Sequence, residues 1–483
     1  MTAAAATVVG TGWETVIGLE VHTELATATK LFCGCRNAFG DEPNTNVCPV
    51  CLGLPGSLPV LNRQSVELAM RVGLALHCRV EPSIFHRKNY FYPDMPKDFQ
   101  VSQYDQPINV GGWLELPDGF RVGVTRAHME EDTGKSTHVG GGGGRIHGAD
   151  HSLVDYNRAG VPLVEIVSEP DIRSSEQARA YVNELRAILV AIGASDARME
   201  EGSLRIDANI SMRRTGVAGF GTRAEIKNLN SVRSLGRAVE YETRRQVDLL
   251  EAGETVVQET RHWNEDEGRT SSMRSKEEAY DYRYFPEPDL VPLAPSDEWQ
   301  AAVRAALPSL PAERRAALGA VTGVTAGDPS LATGVQQGLD DLVTAAVAAG
   351  ADGRLALNRA ANELPNRVAP DPAAFAAVLK MEAGGALTAT QAKAVLAELV
   401  TTGGDPAEIA RAKGFEALGG DVVAAAVDAA IAGHPGEWGR YAGGEAKLAG
   451  FFVGKVMAAT QGKADGKAVT AILRDRLASP PAG

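Results

Sequence analysis

The sequence predicts an α+β fold over residues 1–294 followed by an all-helical remainder. Three observations carry this. Short β-like runs alternate with glycine- and proline-marked turns up to about residue 290. Beyond Pro295 the composition shifts abruptly to Ala, Leu, Val and Glu at 3.6-residue spacing. A chain of 483 residues also exceeds what one core organises, so several domains are expected.

Hydrophobic content of 44% and charged content of 23% exclude disordered and fibrous classes. Met1 to Thr15 lacks a basic segment followed by an apolar one, and no apolar run approaches the roughly 20 residues of a membrane span. A cytoplasmic protein with no membrane partner is expected. The net charge of -13 taken alone argues against a nucleic-acid partner, but phosphate binding depends on local basic surfaces.

The first β-like run, Thr15 to Val21, leads into Glu20, His22 and Glu24, which alternate onto one strand face. Carboxylate, imidazole and carboxylate in a row suit Mg2+, or else form an exposed polar face. Next come Cys33-x-Cys35 and Cys48-x-x-Cys51, separated by twelve residues. In a large chain without a secretory signal, this spacing lets four thiolates close around a structural zinc; four free thiols are the alternative. Cys78, in an apolar stretch, reads as core.

Arg87 to Lys97 interleaves cations with aromatics, including Lys88, Tyr90 and Tyr92, and Tyr280 to Pro288 repeats that character. Such stretches suit unpaired bases and phosphates, or form a packed aromatic core with salt bridges. The run Arg121 to Arg126 is followed by His128-Met-Glu130-Glu131-Asp132. Further acids are Glu201, Asp207, beside the run Leu204 to Ile210, and Glu225; gathered together, they would need a cation.

Gly134-Lys-Ser-Thr ends like a P-loop, but Met129 stands where that motif requires glycine. Gly140 to Gly144 reads as a solvent loop, and Leu163 to Val167 as a strand. One helix is expected, opening after Ser174-Ser175 and running from Gln177 to Ile192, before Gly193.

The helical remainder breaks near Gly403-Gly404-Asp405-Pro406, giving units 295–404 and 405–483. The last is expected to bundle short helices over Ile409–Leu418, Val422–Ile431, Ala446–Ala459 and Lys467–Leu477, with Lys455 and Lys463 among its cations.

Six blocks together resemble the B-subunit family of aspartyl/glutamyl-tRNA amidotransferases. They are Glu14 to His22, Arg87 to Asp94, His128 to Asp132, Val164 to Asp171, Met199 to Arg205 and Tyr282 to Asp289, in the family's order. Gly450 to Lys463 resembles its YqeY-like tail. The resemblance implies a glutamine-synthetase-like cradle with the cysteine loop (33–51) inserted, a helical domain and a tRNA-engaging tail. It implies ATP-dependent conversion of Glu-tRNA(Gln) or Asp-tRNA(Asn) to the amidated form. The partners it implies are the A and C subunits of a heterotrimer, the first delivering ammonia and the second, a small one, clamping the pair.

By resemblance, Glu20, His22, Glu130 and Glu131 hold Mg2+ and the ATP phosphates, and Glu201, Asp207 and Glu225 line the same cradle. Lys88, Lys97 and Glu131 match positions along an ammonia route. Arg87, Tyr90, Tyr92, Lys455 and Lys463 are the expected tRNA contacts. The absence of an amidase nucleophile agrees with glutamine hydrolysis on a partner, and the absence of a large synthetase-like insertion favours type B over the related archaeal type E.

Overall fold

Strand β1 (Trp13–Glu24) has one apolar and one polar face, and that alternation organises the first unit. Ile17, Leu19 and Val21 are fully buried, whereas Glu20, His22 and Glu24 are only partly covered. Burying each large aliphatic side chain contributes about 1.5–3 kcal/mol, so this face is fixed against a core. The other face is left as the wall of a cleft.

The structure is a computed structural model describing residues 12–140, 148–273, 282–364, 368–415, 420–460 and 464–478. After β1 come helix α1 (Arg63–Ala75), then β2 (Arg79–Val80), β3 (Ile84–Asn89), β4 (Phe99–Gln106), β5 (Asn109–Glu115) and β6 (Arg121–Glu131). A small hairpin, β7 (Lys135–Val139) with β8 (His151–Asp155), precedes β9 (Pro162–Ser168), α2 (Ser175–Ala191), β10 (Leu204–Arg214) and β11 (Ala224–Lys227). Helix α3 (Val232–Glu251), β12 (Glu259–Asn264), β13 (Arg269–Ser272), β14 (Phe285–Pro286) and α4 (Asp297–Ala305) complete the unit.

The large sheet runs β13-β12-β11-β10-β1-β9-β6-β4-β3-β14, with β5 bridging β2 and β6. Among the described strands only β11 and β12 pair in parallel. Val66 and Met70 of α1, Tyr181 and Leu185 of α2, and Leu235 and Val239 of α3 share one core with the inner residues of β1, β9 and β10. Helix α2 forms as its sequence predicts: Ser174 caps it by accepting from the Gln177 N–H at 3.2 Å, and Gly193 ends it at φ +66°. Helices α1 and α3 were not expected. Lys135 begins a strand, so the Gly134-Lys-Ser-Thr stretch does not open a helix as a P-loop does. Of the expected glycine loop, Gly141 to Gly144 lie outside the described residues.

The chain divides at Ala312/Glu313. In the second unit, helices from Pro311–Thr322 to Pro406–Ala412 share a core that includes Val343, Phe375 and Leu396. Helices Gly420–Gly433, Pro435–Ala442, Leu448–Ala459 and Gly466–Ala478 pack around Val427, Phe452 and Leu473.

Two helices fall on the far side of the compositional breaks at 294/295 and 404/405. Helix α4 packs on α1: the Trp299 Nε1–H donates to Glu67 at 3.0 Å, and Arg63 lies over its ring. Helix Pro406–Ala412 gives Ala410 to the core of the helices before it. Composition reports helix content, and it does not report which core a helix packs against.

Candidate active site

The polar face of the sheet is built by register. Antiparallel pairing sets His22 beside Glu165 of β9 and beside Arg205 of β10, Glu20 beside Asp207, and Asn209 beside Glu225 of β11. Strand β6 adds His128, aligned with Glu165, and Glu130 two residues on. Because strand side chains alternate, these groups project from the same face as His22.

His22 Nε2 lies 3.5 Å from Glu130 Oε1 and 3.9 Å from Glu165 Oε2. Ligand atoms of His22, Glu130 and Glu165 all fall within 4.8 Å of one another, a spacing at which one cation could be shared. Fully buried His128 stands 3.2 Å behind Glu165. Burial pushes Glu165 up, but His128, His22 and Arg126 outweigh it and hold the carboxyl well below the usual range. Glu165 is therefore an anion at neutral pH.

The adjoining acids form a second group. Glu20 accepts from Asn209 Nδ2 at 2.9 Å, and Asp207 and Glu225 flank Lys227 at 2.7 and 3.5 Å. Burial, together with Glu165, Glu225 and Asp207, raises the Glu20 carboxyl. Burial alone would lower Lys227, but Asp207 and Glu225 keep it charged. Asp207 and Lys227 line an open cleft of about 1360 Å³ together with His22, Lys88, Glu130 and Arg205, whereas Glu20 and Asn209 line a separate pocket with Ser168 and Ser211. Acids able to hold a divalent cation thus stand beside Arg and Lys able to meet an anion, the arrangement that phosphoryl transfer requires.

Glu131 departs from the expected cradle. As the neighbour of Glu130 it points to the opposite side of β6, where it pairs with Lys97 and accepts from the Val101 N–H at 2.9 Å. Both residues line a separate cavity of about 240 Å³ next to the cysteine loop. Glu201 sits on the turn before β10, held by Arg198 at 2.7 Å, and is outside the cleft lining. Lys88 lines the cleft with its ammonium 4.6 Å from the Tyr282 ring.

The four cysteines converge as their spacing predicts, with all four Sγ atoms within 4.8 Å of one another. None is in a disulfide. The Cys48 N–H donates to Cys51 Sγ at 3.1 Å. A hydrogen bond from Cys33, then that N–H and Lys30, lower the Cys51 thiol to about 5 against the opposing effect of burial. Lys30 is itself fully buried, donating to the carbonyls of Asn46 and Tyr156. The cluster fits a tetrahedral soft-metal site with no position left for water.

Arg87 makes a two-pronged ion pair with buried Glu287, at 2.7 and 2.8 Å, and covers Phe99, so its charge is engaged within the fold. Tyr90 and Tyr92 stack at 4.5 Å near the cleft mouth, where Tyr90 contributes to the lining. In the tail, exposed Lys455 lies over Phe451, while Arg440 and Arg476 pair with Glu445 and Asp428. Lys463 lies outside the described residues, as do Tyr280 and Asp281.

Sequence reasoning did not single out Glu165, His128, Arg205 or Lys227 as site residues. The alternation of β9 carried a signal for Glu165, a lone acid in an apolar strand.

Comparison with known proteins gives a consistent result. A family model described as the GatB/GatE catalytic domain matches residues 15–301, and one described as the GatB domain matches 341–477. Proteins named as the B subunit of aspartyl/glutamyl-tRNA(Asn/Gln) amidotransferase match over nearly their full length. That of Frankia casuarinae is 53% identical over 96% of both chains, that of Nocardia farcinica 51% over 94% of both, and that of Streptomyces avermitilis 49% over 96% of both.

Proposed function

The chain belongs to the family of aspartyl/glutamyl-tRNA(Asn/Gln) amidotransferase B subunits, and from that premise we propose that its cleft activates and amidates the misacylated residue of Glu-tRNA(Gln) or Asp-tRNA(Asn). The observation that carries this reading is the convergence of His22, Glu130 and Glu165 on a face shared with Glu20, Asp207, Arg205 and Lys227.

The chemistry asks for such a face. A carboxylate is a poor electrophile because oxide cannot leave. Bond formation between a carboxylate oxygen and the γ-phosphorus of ATP, with release of ADP, creates a leaving group. Ammonia then attacks the carbonyl carbon, the carbon–oxygen bond breaks, inorganic phosphate departs with the electron pair, and nitrogen gives up a proton.

His22, Glu130 and Glu165 would hold Mg2+, with Glu20, Asp207 and Glu225 around it. The ion would supply neutralisation of phosphate charge. Arg205, Lys227 and Lys88, on the same face of the sheet, orient the phosphates and offset their charge.

Ammonia must arrive unprotonated, and in this reading it comes from an A subunit that hydrolyses glutamine, while a small C subunit holds the two together. The Lys97–Glu131 cavity supports a sheltered route with a proton acceptor on it. The cysteine cluster would carry a structural zinc. Tyr90 and Tyr92 are suited to stacking on an unpaired tRNA end, and residues 420–478, with Lys455, to meeting tRNA phosphate. Since Arg87 is engaged by Glu287, it would act on tRNA through the shape of this edge. Acting on charged tRNA with ATP supports a cytoplasmic location; no helix among the described residues is long and apolar enough to cross a membrane.

Glu165→Gln and Glu130→Gln test the reading. Each is expected to lower Glu-tRNA-stimulated ATP turnover by about 100-fold or more while tRNA binding stays within twofold. Turnover retained in both variants would remove the phosphoryl-transfer site from this cleft.

A further inference from the structure

We propose that the cysteine loop positions Lys97 on Glu131, so that the metal site governs ammonia transfer through the loop's contact with this lysine. The inference rests on the reading above that Lys97 and Glu131 serve ammonia.

The contact begins at the knuckle. Leu52, Gly53 and Leu54 donate backbone hydrogen bonds to the carbonyls of Cys48, Val50 and Pro49 at 3.1, 3.0 and 2.9 Å, which ties Gly53 rigidly to the second cysteine pair. Gly53 has φ +66°, and it lies flat against the stem of Lys97. A Cβ placed there would stand 2.6 Å from Lys97 Cγ and 3.1 Å from its Cα and Cβ, so only glycine leaves the lysine where it is.

The far end of the lysine is equally confined. Its ammonium pairs with Glu131, the two side chains being 10% and 2% exposed, and sits 5.0 Å from the Phe99 ring and 5.8 Å from that of Phe32, the residue before Cys33. Gly160 closes the arrangement: a Cβ there would meet Cys51 Cβ at 3.6 Å, Lys30 Cδ at 3.7 Å and Glu131 Oε2 at 3.8 Å. Gly53 thus sets the second cysteine pair against the Lys97 stem, and Gly160 sets Cys51 and Lys30 around the Glu131 carboxylate. An error of about 1 Å in placing a reacting group can cost on the order of 100-fold in rate, so the loop is a positioning element for the reaction, beyond holding itself folded.

Gly53→Asn is the test, because asparagine tolerates a positive φ and adds only the obstructing side chain. Gly40→Asn is its control: Gly40 has φ +85° in the same loop, lies outside the lining of the Lys97–Glu131 cavity, and a Cβ added to it would meet nothing within 4 Å. Two readouts are taken on the assembled, zinc-loaded enzyme: the rate at which Lys97 is acetylated, by mass spectrometry, and Gln-tRNA formed per ATP hydrolysed.

Gly53→Asn is expected to speed labelling of Lys97 by about fivefold and to lower amidation per ATP by about tenfold, with zinc content, ATP turnover and the Gly40→Asn variant unchanged. In a Lys97→Met background Gly53→Asn should cause no further loss. Wild-type labelling and coupling in Gly53→Asn overturn the proposal. So do losses that multiply in the double variant, and faster labelling with unchanged coupling. A wild-type enzyme that makes no Gln-tRNA would instead strike the proposed function, and the labelling comparison would still decide the contact.

Discussion

At the scale of single residues, Glu24 shows how the cleft holds its charges. Burial and the Asp132 carboxylate push its carboxyl up to about 7, against the opposing pull of Arg205 and Arg158. In the unfolded chain a glutamate titrates near 4.3, so between these values the folded chain keeps a proton that the unfolded chain has released, and stability falls as pH rises through this window. Glu24→Gln removes the penalty. It should raise unfolding stability at pH 8 by roughly 1–3 kcal/mol and leave it unchanged near pH 4; an equal effect at both pH values would contradict this. The polar row on β1 was legible because Glu20, His22 and Glu24 alternate with Leu19, Val21 and Thr23 in consecutive sequence. Glu165 was not singled out, because its meaning comes from lying beside His22 and His128, a register that no local pattern states.

At the scale of elements, the two aromatic-rich stretches turn out to be one construction. Strand β14 pairs with β3, and Arg87 on β3 holds Glu287, just past β14, beneath the sheet edge. Arg87→Met should leave that carboxylate buried without its partner and destabilise the first unit by about 3–5 kcal/mol in chemical denaturation; a loss under about 1 kcal/mol would mean that Glu287 finds another cation or water. Helix α2 was legible from its serine cap and closing glycine. Helix α3 was hidden by its own composition, rich in Arg and Glu with Gly236 inside it, so that its buried stripe of Leu235, Ala238, Val239 and Val247 is narrow. Adjacent acids were the other blind spot. Glu130 and Glu131 read as one cluster in sequence, but a strand sends neighbours to opposite faces, which gives one to the cleft and one to the Lys97 cavity.

At the scale of the whole molecule, net charge was a poor guide: -13 overall coexists with Arg205, Lys227 and Lys88 lining one cleft. Function depends on joining that cleft to an ammonia source and a tRNA that the chain does not itself contain, so the decisive measurement belongs to the assembled enzyme. It is ATP-dependent formation of Gln-tRNA from Glu-tRNA(Gln), with ammonium chloride replacing glutamine, comparing wild type with His22→Ala. The account predicts formation by the wild type and a fall of about 100-fold or more in the variant, with tRNA binding preserved. Equal amidation by both would contradict it and place the activating cation away from β1.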